Sequence, residues 1–238
     1  MCFVAVLFQT HPTYPVIVAA NRNESRFRAS REPYRWPGEP AIWAGRDEVA
    51  GGTWLGVNSQ GLLVAITNRR GGPTDATLPS RGLLCLEALR QPSPAAAWAL
   101  VEGRLQRSRY NPFNLLCANP SEGWVGTWRG DVQPLTPGFH VLTNLGDLDD
   151  ETIPMVQRAR AAAAELSASG PLEGILASLG RMCADTTPPE PICRVGGATG
   201  TVSSTLIALT DDGAVRAYRH ADGPPSERPY GDVAIGPV

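Results

Sequence analysis

The fold of this chain is decided near its start, where residues 3–20 read FVAVLFQTHPTYPVIVAA. Two short apolar runs, residues 3–8 and 14–20, flank a turn that contains Pro12, and their β-branched and aromatic side chains predict paired strands. Neither run alternates with polar residues, so both faces of each strand are expected to be buried. The sheet that contains them therefore needs a layer of structure on each side.

The rest of the chain continues with strands and pairs of helices. Ser80 and Ser93 are placed to cap two helices, the second with Pro94 at its first position. Further strands are predicted at 53–58, 62–68, 113–118, 124–129, 139–143, 202–210 and 214–220, and further helices at 154–166 and 172–182. This order predicts a single α+β domain over residues 1–238, a four-layer αββα sandwich of two antiparallel sheets between helices. The segment after Ala221 is expected to lie on the surface.

Composition excludes several large enzyme classes. The chain has 238 residues and a formal charge of −2, and its 21 basic residues are all arginine because the sequence contains no lysine. This excludes a Schiff-base lysine, pyridoxal phosphate anchored on lysine, a Walker A motif and the ATP lysine of protein kinases. The nearly balanced charge gives no indication of a nucleic-acid partner.

The N-terminus and the cysteine spacing predict a cytoplasmic protein. Six consecutive apolar residues follow Cys2 without a preceding basic segment, so neither a signal peptide nor a membrane span is expected. The cysteines are odd in number and form no Cys-x-x-Cys pair, which favours neither a disulfide framework nor a zinc site. Cys85 and Cys117 lie in apolar runs and are expected to be buried.

Cys2 carries the strongest indication of chemistry. It follows the initiator Met1, and removal of that methionine would leave a thiol and a free α-amine on one residue. An α-amine has a pKa of about 7.7–8.0 and a thiol about 8.5, so the amine can take the thiol proton near neutral pH. The alternative is that Cys2 only begins a buried strand.

Polar residues occur where three apolar strands end. Residues 21–24, Asn-Arg-Asn-Glu, follow the second strand and could contact a substrate or form a solvated turn. Arg22, if close to Cys2, would lower the thiol pKa and bind a carbonyl or carboxylate. Asn68 and Asn144 end later strands, where their amides could donate to an oxyanion or cap turns. The candidate substrate-binding residues are Asn21, Asn23, Glu24 and Trp54.

Ordered motifs along the chain carry a family resemblance. They are Met-Cys at 1–2, Val-Ala-Ala-Asn-Arg-Asn-Glu at 18–24, Gly-Gly-Thr-Trp-Leu-Gly-Val at 51–57, Leu-Val-Ala-Ile-Thr-Asn at 63–68, Asn-Pro-Phe-Asn-Leu at 111–115 and Leu-Thr-Pro-Gly-Phe-His-Val-Leu-Thr-Asn at 135–144. Together these motifs resemble the NRDE family, which includes the transport and Golgi organisation protein 2 homologues. The resemblance implies an N-terminal-nucleophile hydrolase-like fold, in agreement with the four layers predicted above.

The resemblance also implies a set of catalytic residues. The related conjugated-bile-salt hydrolases and penicillin V acylases begin with Cys and keep an Arg after the second strand and Asn residues at later strand ends. By position, the matching residues here are Cys2, Arg22, Asn68 and Asn144. Two positions depart from the pattern. Asn23 stands where the family has Asp, with Glu24 the nearest carboxylate, and residues 202–204 stand where the acylases carry a second Arg.

Two functions are compatible with these residues. The chain is expected either to hydrolyse a nonpeptide C–N bond of a small acylated amide, or to carry an apolar ligand such as haem without catalysis. The carrier alternative follows from the family's link to haem trafficking and lipid homeostasis. Candidate axial ligands for haem are Cys2, His11, His140 and His220. The hydrolase needs no cofactor and no metal.

Overall fold

The computed structural model describes residues 2–70 and 74–236, with Cys2 described by its backbone alone. The strands are β1 (Cys2–Phe8), β2 (Val16–Ser25), β3 (Ser30–Trp36), β4 (Ile42–Asp47), β5 (Leu55–Asn58), β6 (Leu63–Asn68), β7 (Phe113–Ala118), β8 (Gly123–Thr127), β9 (Val132–Pro134), β10 (Gly138–Thr143), β11 (Thr199–Leu209), β12 (Val215–Ala221) and β13 (Gly231–Asp232). The helices are α1 (Arg81–Leu89), α2 (Pro94–Arg107), α3 (Pro154–Ala164) and α4 (Leu172–Cys183).

The strands form two antiparallel sheets stacked between helices. The first sheet has the order β10-β1-β2-β11-β12-β13, and the second sheet runs from β3 to β9 in sequence order. Helices α3 and α4 pack on the first sheet, and α1 and α2 pack on the second. The layers therefore follow the order helices, sheet, sheet, helices, which confirms the predicted α+β sandwich.

Both faces of β1 are buried, as its uninterrupted apolar sequence predicts. Val4 and Val6 face the core between the two sheets, whereas Phe3 and Ala5 face the core under α3 and α4. Successive side chains of a strand point to opposite faces, so a strand with apolar layers on both sides has no polar alternation. Burial of one large apolar side chain such as Phe3 contributes about 1.5–3 kcal/mol.

The two serine caps lie where the sequence predicts them. Ser80 Oγ accepts from the backbone N–H of Leu83 at 3.4 Å, and Ser93 Oγ accepts from that of Ala96 at 3.2 Å. Each cap satisfies one of the N–H groups that a helix leaves without a partner in its first turn. The caps therefore fix the starts of α1 and α2.

Four strands are not revealed by the sequence pattern. β3 is mostly exposed and carries a Glu-Pro pair at 32–33, so it lacks an apolar run. β4, which pairs with β3, is not among the predicted strands either. β9 and β13 have three and two residues, too few for a pattern. Because β13 pairs with β12, the segment after Ala221, expected on the surface, is partly attached to the first sheet.

Two turns meet at one end of the sandwich. Gly61 between β5 and β6 has φ +77°, Gly213 between β11 and β12 has φ +84°, and a Cβ on Gly61 would lie 2.7 Å from the Cα of Gly213. Glycine is required here for the left-handed backbone and for the close approach. The two sheets therefore touch backbone to backbone at the end opposite to Arg22 and Asn68.

Candidate active site

A row of residues crosses the first sheet where β2 ends. The backbone of Cys2 pairs with that of Arg22, and Arg22 pairs on its other side with Ser203 of β11. A bulge in β11 between Thr201 and Ser203 sets this register. On β10, the other neighbour of β1, Asn144 directly follows the last residue of the strand. The Cys2 side chain lies outside the described residues, so its predicted role rests on this backbone position.

Arg22 is held in one position by an indole and a hydroxyl. Its guanidinium carbon lies 4.1 Å from the ring centroid of Trp54, and Nη1 donates to Ser30 Oγ at 3.1 Å. Because the Arg22 side chain is almost fully buried, its charge is poorly hydrated, and its electrostatic attraction to the Trp54 ring and to Ser30 is stronger than it would be in water. Trp54 packs on Gly45, where a Cβ would lie 2.6 Å from the indole. Glycine at position 45 therefore makes room for the ring beneath Arg22.

A groove of about 540 Å³ opens beside Arg22, between β2, the β4–β5 loop and the first turn of α1. Five of the predicted site residues line it, namely Arg22, Asn23, Glu24, Trp54 and Asn68. The other walls include charged side chains (Arg28, Arg81, Asp47 and Asp75) and apolar ones (Val49, Ile66 and Leu78). The groove thus suits a ligand that has both a polar and an apolar part.

Asn144 is 5% exposed, and its amide is not used as a turn cap. Within the described part of the chain, its side-chain oxygen has no hydrogen-bond partner. The turn that follows is capped instead by Thr143, whose Oγ1 accepts from the N–H of Leu145 at 3.1 Å. A buried amide oxygen without a partner costs about 1–3 kcal/mol and calls for an explanation. The geometry therefore leaves the acceptor of the Asn144 amide, its Oδ1, without a partner among the described residues.

Asn68 belongs to the second sheet and is exposed at the groove. Two hydrogen bonds join its strand end to that of Asn144. Thr67 Oγ1 donates to the carbonyl of Thr143 at 3.5 Å, and Arg70 N donates to the carbonyl of Asn144 at 2.9 Å. The structure thus brings the ends of β6 and β10 together across the two sheets.

Asn21 is not brought to the groove. Its Nδ2 donates to the carbonyls of Cys183 at 2.8 Å and Ile192 at 3.0 Å, on the helix-covered side of the first sheet. It therefore ties β2 to the end of α4. Asn23 lines the groove, and its Oδ1 accepts from Thr201 Oγ1 at 2.6 Å.

Sequence reasoning did not assign a role to Asn114, which positions the loop after β10. Its Nδ2 donates to the carbonyls of Thr143 at 2.8 Å and Gly146 at 3.3 Å, and its Oδ1 accepts from Arg69 Nη1 at 3.3 Å. The sequence feature that could have indicated this role is the position of Asn114, a polar residue inside the otherwise apolar strand Phe113–Ala118. Asn114 holds the carbonyl that immediately precedes Asn144.

Ser203 is a second residue whose position was not apparent from the sequence. It is buried beside Arg22, and its hydroxyl has no hydrogen-bond partner among the described residues. Its position becomes evident only from the strand register. The row from Cys2 to Ser203 therefore carries one arginine, at position 22.

The three histidines lie away from the groove lining. His11 Nε2 is 3.1 Å from the carbonyl of Gly170, and His220 Nδ1 is 2.9 Å from Thr205 Oγ1. Burial lowers the pKa of His220 to about 4. Among the described residues, no group of three His, Cys, Asp or Glu side chains could hold a metal ion.

His140 anchors the loop that contains Asn144. Its Nδ1 is 2.6 Å from Asp149 Oδ2 and its Nε2 is 2.7 Å from the carbonyl of Thr136, so only the protonated ring can donate to both. Burial opposes the charge, but the hydrogen bonds with Asp149 and Thr136 outweigh it and raise the pKa of His140. Asp149 also accepts from Val141 N at 2.7 Å, which fastens the loop to β10.

The four cysteines with described side chains are buried and unbridged, which confirms the expectation for Cys85 and Cys117. Burial raises the pKa of the thiols of Cys85 and Cys117, and it raises that of Cys183 to about 12. These thiols are therefore protonated and shielded near neutral pH. In the same described ranges, no helix is long and apolar enough to cross a lipid bilayer.

The chain is similar to proteins that are already known. The profile of the family described as Transport and Golgi organisation 2 matches residues 1–220. The chain belongs to that family. This result confirms the resemblance that the sequence motifs indicated.

Curated members of the Transport and Golgi organisation 2 family match part of the chain. The Mus musculus homologue is 33% identical over 161 residues, covering 60% of this chain and 57% of the relative. The Homo sapiens homologue is 32% identical over 159 residues, with the same coverage of 60% and 57%. The match thus spans less than two thirds of the length of these relatives.

Solved structures show the same fold as this Transport and Golgi organisation 2 family member. An N-acylethanolamine-hydrolyzing acid amidase orthologue from Caenorhabditis elegans has a TM-score of 0.57 at 13% identity, covering 90% of this chain and 94% of that one. A conjugated bile acid hydrolase mutant from Clostridium perfringens has 0.56 at 10% identity, with 93% and 89% covered. A penicillin V acylase from Agrobacterium tumefaciens has 0.51 at 12% identity, with 98% of each covered. The N-terminal-nucleophile hydrolase-like fold is confirmed.

Proposed function

We propose that this chain is an N-terminal-cysteine hydrolase that cleaves the amide C–N bond of a small acylated substrate. One observation carries the proposal: the backbone of Cys2 lies opposite the buried Arg22, and the buried Asn144 follows the strand on the other side. A nucleophile, a fixed positive charge and an amide donor are the parts that acyl transfer requires.

In the proposed reaction, removal of Met1 frees the α-amine of Cys2. This amine takes the thiol proton, and the thiolate sulfur forms a bond to the carbonyl carbon of the substrate. The C–N bond then breaks, the departing nitrogen takes the proton from the ammonium, and the acyl group remains as a thioester. Water hydrolyses the thioester to a carboxylic acid and restores the thiol. Arg22 favours the thiolate because its positive charge lowers the pKa of a nearby thiol.

We assign the oxyanion to Asn144, with Asn68 as a second donor from the facing sheet. Asn144 suits this role because its loop is fastened by Asn114 and by the His140–Asp149 pair, so the amide needs little reorganisation as charge develops. The substrate would lie in the groove against Asn23, Glu24 and Trp54.

The solved structures support the class of reaction. The three compared above are named an amidase orthologue, a conjugated bile acid hydrolase and a penicillin V acylase. At 10–13% identity this likeness supports a hydrolase site of the same general kind, while the substrate of this chain follows from its own groove.

The haem or apolar-ligand carrier is less well supported. A haem site needs an apolar cavity and an axial ligand, whereas the groove walls carry Arg22, Arg28 and Arg81. The carboxylates Glu24, Asp47 and Asp75 lie on the same walls, and the histidines lie elsewhere. This mixed charge favours an acylated amide that has a polar part over haem.

The test begins with an intact-mass measurement for loss of Met1, followed by a panel of N-acyl amides. Cys2→Ala should abolish turnover. Asn144→Ala should lower turnover by about 10²–10³-fold with little change in melting temperature, because the donor matters mainly when charge develops. The absence of turnover across the panel, or turnover by Cys2→Ala, would overturn the proposal.

Asn119→Ala is a matched control for Asn144→Ala. Asn119 Oδ1 caps a turn by accepting from the N–H groups of Ser121 at 3.0 Å and Glu122 at 2.8 Å. Its loss should lower stability by about 1 kcal/mol and leave turnover unchanged. If Asn144→Ala behaves like this control, with lower stability and full activity, Asn144 is not an oxyanion donor.

A further inference from the structure

Four exposed apolar side chains, here called the rim, lie on segments beside the groove. They are Phe27 (86% exposed), Val49 (64%), Val195 (46%) and Leu83 (43%). In the described ranges, one other large apolar side chain, Val132, has a similar exposure. Isolated exposed apolar residues are ordinary, but a cluster of them marks an interaction surface.

The segments that carry Phe27, Val49 and Val195 are hydrogen-bonded to one another. Arg26 N donates to the carbonyl of Ala198 at 3.0 Å, which joins the turn of Phe27 to the loop of Val195. Glu48 N donates to the carbonyl of Ala29 at 3.1 Å, which joins the turn of Phe27 to that of Val49. These three apolar tips therefore lie on adjacent turns.

The turn of Val49 is joined in the same way to Leu83 in the first turn of α1. Thr53 N donates to the carbonyl of Gly82 at 3.0 Å, and a Cβ on Gly52 would lie 2.1 Å from the carbonyl carbon of Gly82. The rim is thus a continuous set of four neighbouring segments. Val49 of the rim borders the groove, and so does Gly82, the neighbour of Leu83, which places the rim beside the groove.

Positive charge is concentrated on the same four segments. Residues 25–29, 48–52, 80–84 and 194–198 carry Arg26, Arg28, Arg81 and Arg194 and a single carboxylate, Glu48. Asp47 balances Arg28 at 2.7 Å, and Arg46 balances Glu48 at 3.4 Å. The segments that carry the rim therefore have more arginines than carboxylates, although the formal charge of the chain is −2.

We infer that the rim docks the mouth of the groove onto an anionic lipid bilayer. Apolar side chains at turn tips can enter the soft boundary between headgroups and acyl chains, and the adjacent guanidinium groups bind lipid phosphates. Such docking lets a ligand pass from the bilayer into the groove. An amphiphilic acyl amide is then the favoured substrate, a point that rests on the proposed function.

The test is sedimentation of the full chain with vesicles of phosphatidylcholine alone and of three parts phosphatidylcholine to one part phosphatidylserine. The protein should bind the second kind, and Phe27→Ser with Val195→Ser should weaken binding about tenfold or more, because two apolar anchors are lost. Arg26→Gln should weaken binding further, and so should salt at about 0.5 M, because salt screens the attraction between guanidinium groups and lipid phosphates. Val132→Ser, at a site outside the rim, is the matched control and should bind as the original chain does.

Vesicle binding is measured without substrate and on Cys2→Ala as well, so its outcome is separate from that of the hydrolase proposal. No binding to phosphatidylserine vesicles overturns the inference, as does an equal loss in Val132→Ser. Self-association in gel filtration that Phe27→Ser abolishes would assign the rim to a second copy of the chain and would also overturn it. Circular dichroism verifies that each variant keeps its fold.

Discussion

Replacement of Gly52 by alanine is expected to destabilise the protein by about 2–6 kcal/mol, because the backbone of the β4–β5 loop touches the first turn of α1. A Cβ at position 52 would lie 2.1 Å from the carbonyl carbon of Gly82 and 2.4 Å from its oxygen, whereas ordinary contact begins at 3.4 Å. The two backbones would have to separate by about 1 Å. No flexible side chain is available there to absorb the strain.

The magnitude has two parts. Overpacking of a tight contact costs about 1–3 kcal/mol. The separation also stretches the 3.0 Å hydrogen bond from Thr53 N to the carbonyl of Gly82, and loss of a buried hydrogen bond adds about 1–3 kcal/mol. Because Ser80 to Gly82 line the groove, the same change should disturb ligand binding there.

Urea unfolding followed by circular dichroism measures the free energy of unfolding, with two glycine controls. Gly51→Ala should cost only about 1–2 kcal/mol, because Gly51 has φ +76° but no atom within 4 Å of an added Cβ. Gly103→Ala, inside α2 with equally open surroundings, should stabilise the protein by about 0.5–1 kcal/mol. The reasoning is refuted if the free energy of unfolding of Gly52→Ala differs from that of the original chain by less than about 0.5 kcal/mol, which is the experimental error.

Three further predictions concern stability and reactivity. The pKa of His140 is raised, so its contribution to stability should be complete below about pH 6.5 and decline as the pH rises through the raised value; His140→Gln should remove this slope from a series of melting temperatures. Asn58→Ala should cost about 3–5 kcal/mol in chemical denaturation, because the side chain of Asn58 makes four hydrogen bonds, among them one to the carbonyl of Leu89 at 2.9 Å; a cost under about 1 kcal/mol contradicts this. Brief iodoacetamide treatment with peptide mapping should label Cys2 first, and earlier labelling of the buried Cys85 would argue against an activated Cys2.

The layered fold could be predicted because its strands are apolar on both faces and its helices carry clear caps. The edge strand β3 could not, since an exposed strand with little apolar surface resembles a loop in sequence. Its partner β4 contributes Gly45, whose contact with Trp54 is a tertiary property that no local pattern encodes.

The sequence predicts which polar residues lie at strand ends, but it does not predict which of their side chains face the groove. Asn21 and Arg22 are neighbours in sequence, but alternation along β2 sends their side chains to opposite faces, and only packing decides which face carries the groove. For Asn144, the sequence allows both a turn cap and an oxyanion donor. Thr143 takes the hydrogen bond from Leu145 N, so Asn144 does not make that cap, and its part in a reaction stays a prediction.

The contact between Gly61 and Gly213 has a mechanical consequence for the groove. With backbone against backbone, the spacing of the two sheets is fixed at that end and cannot shrink further. At the opposite end, the hydrogen bonds from Thr67 Oγ1 and Arg70 N to the carbonyls of Thr143 and Asn144 also join the two sheets. The sandwich is therefore clamped at both ends, and amide exchange in the strands should be slow at each clamp. A ligand in the groove beside Arg22 then meets walls at a set separation, which limits how thick a molecule the groove accepts.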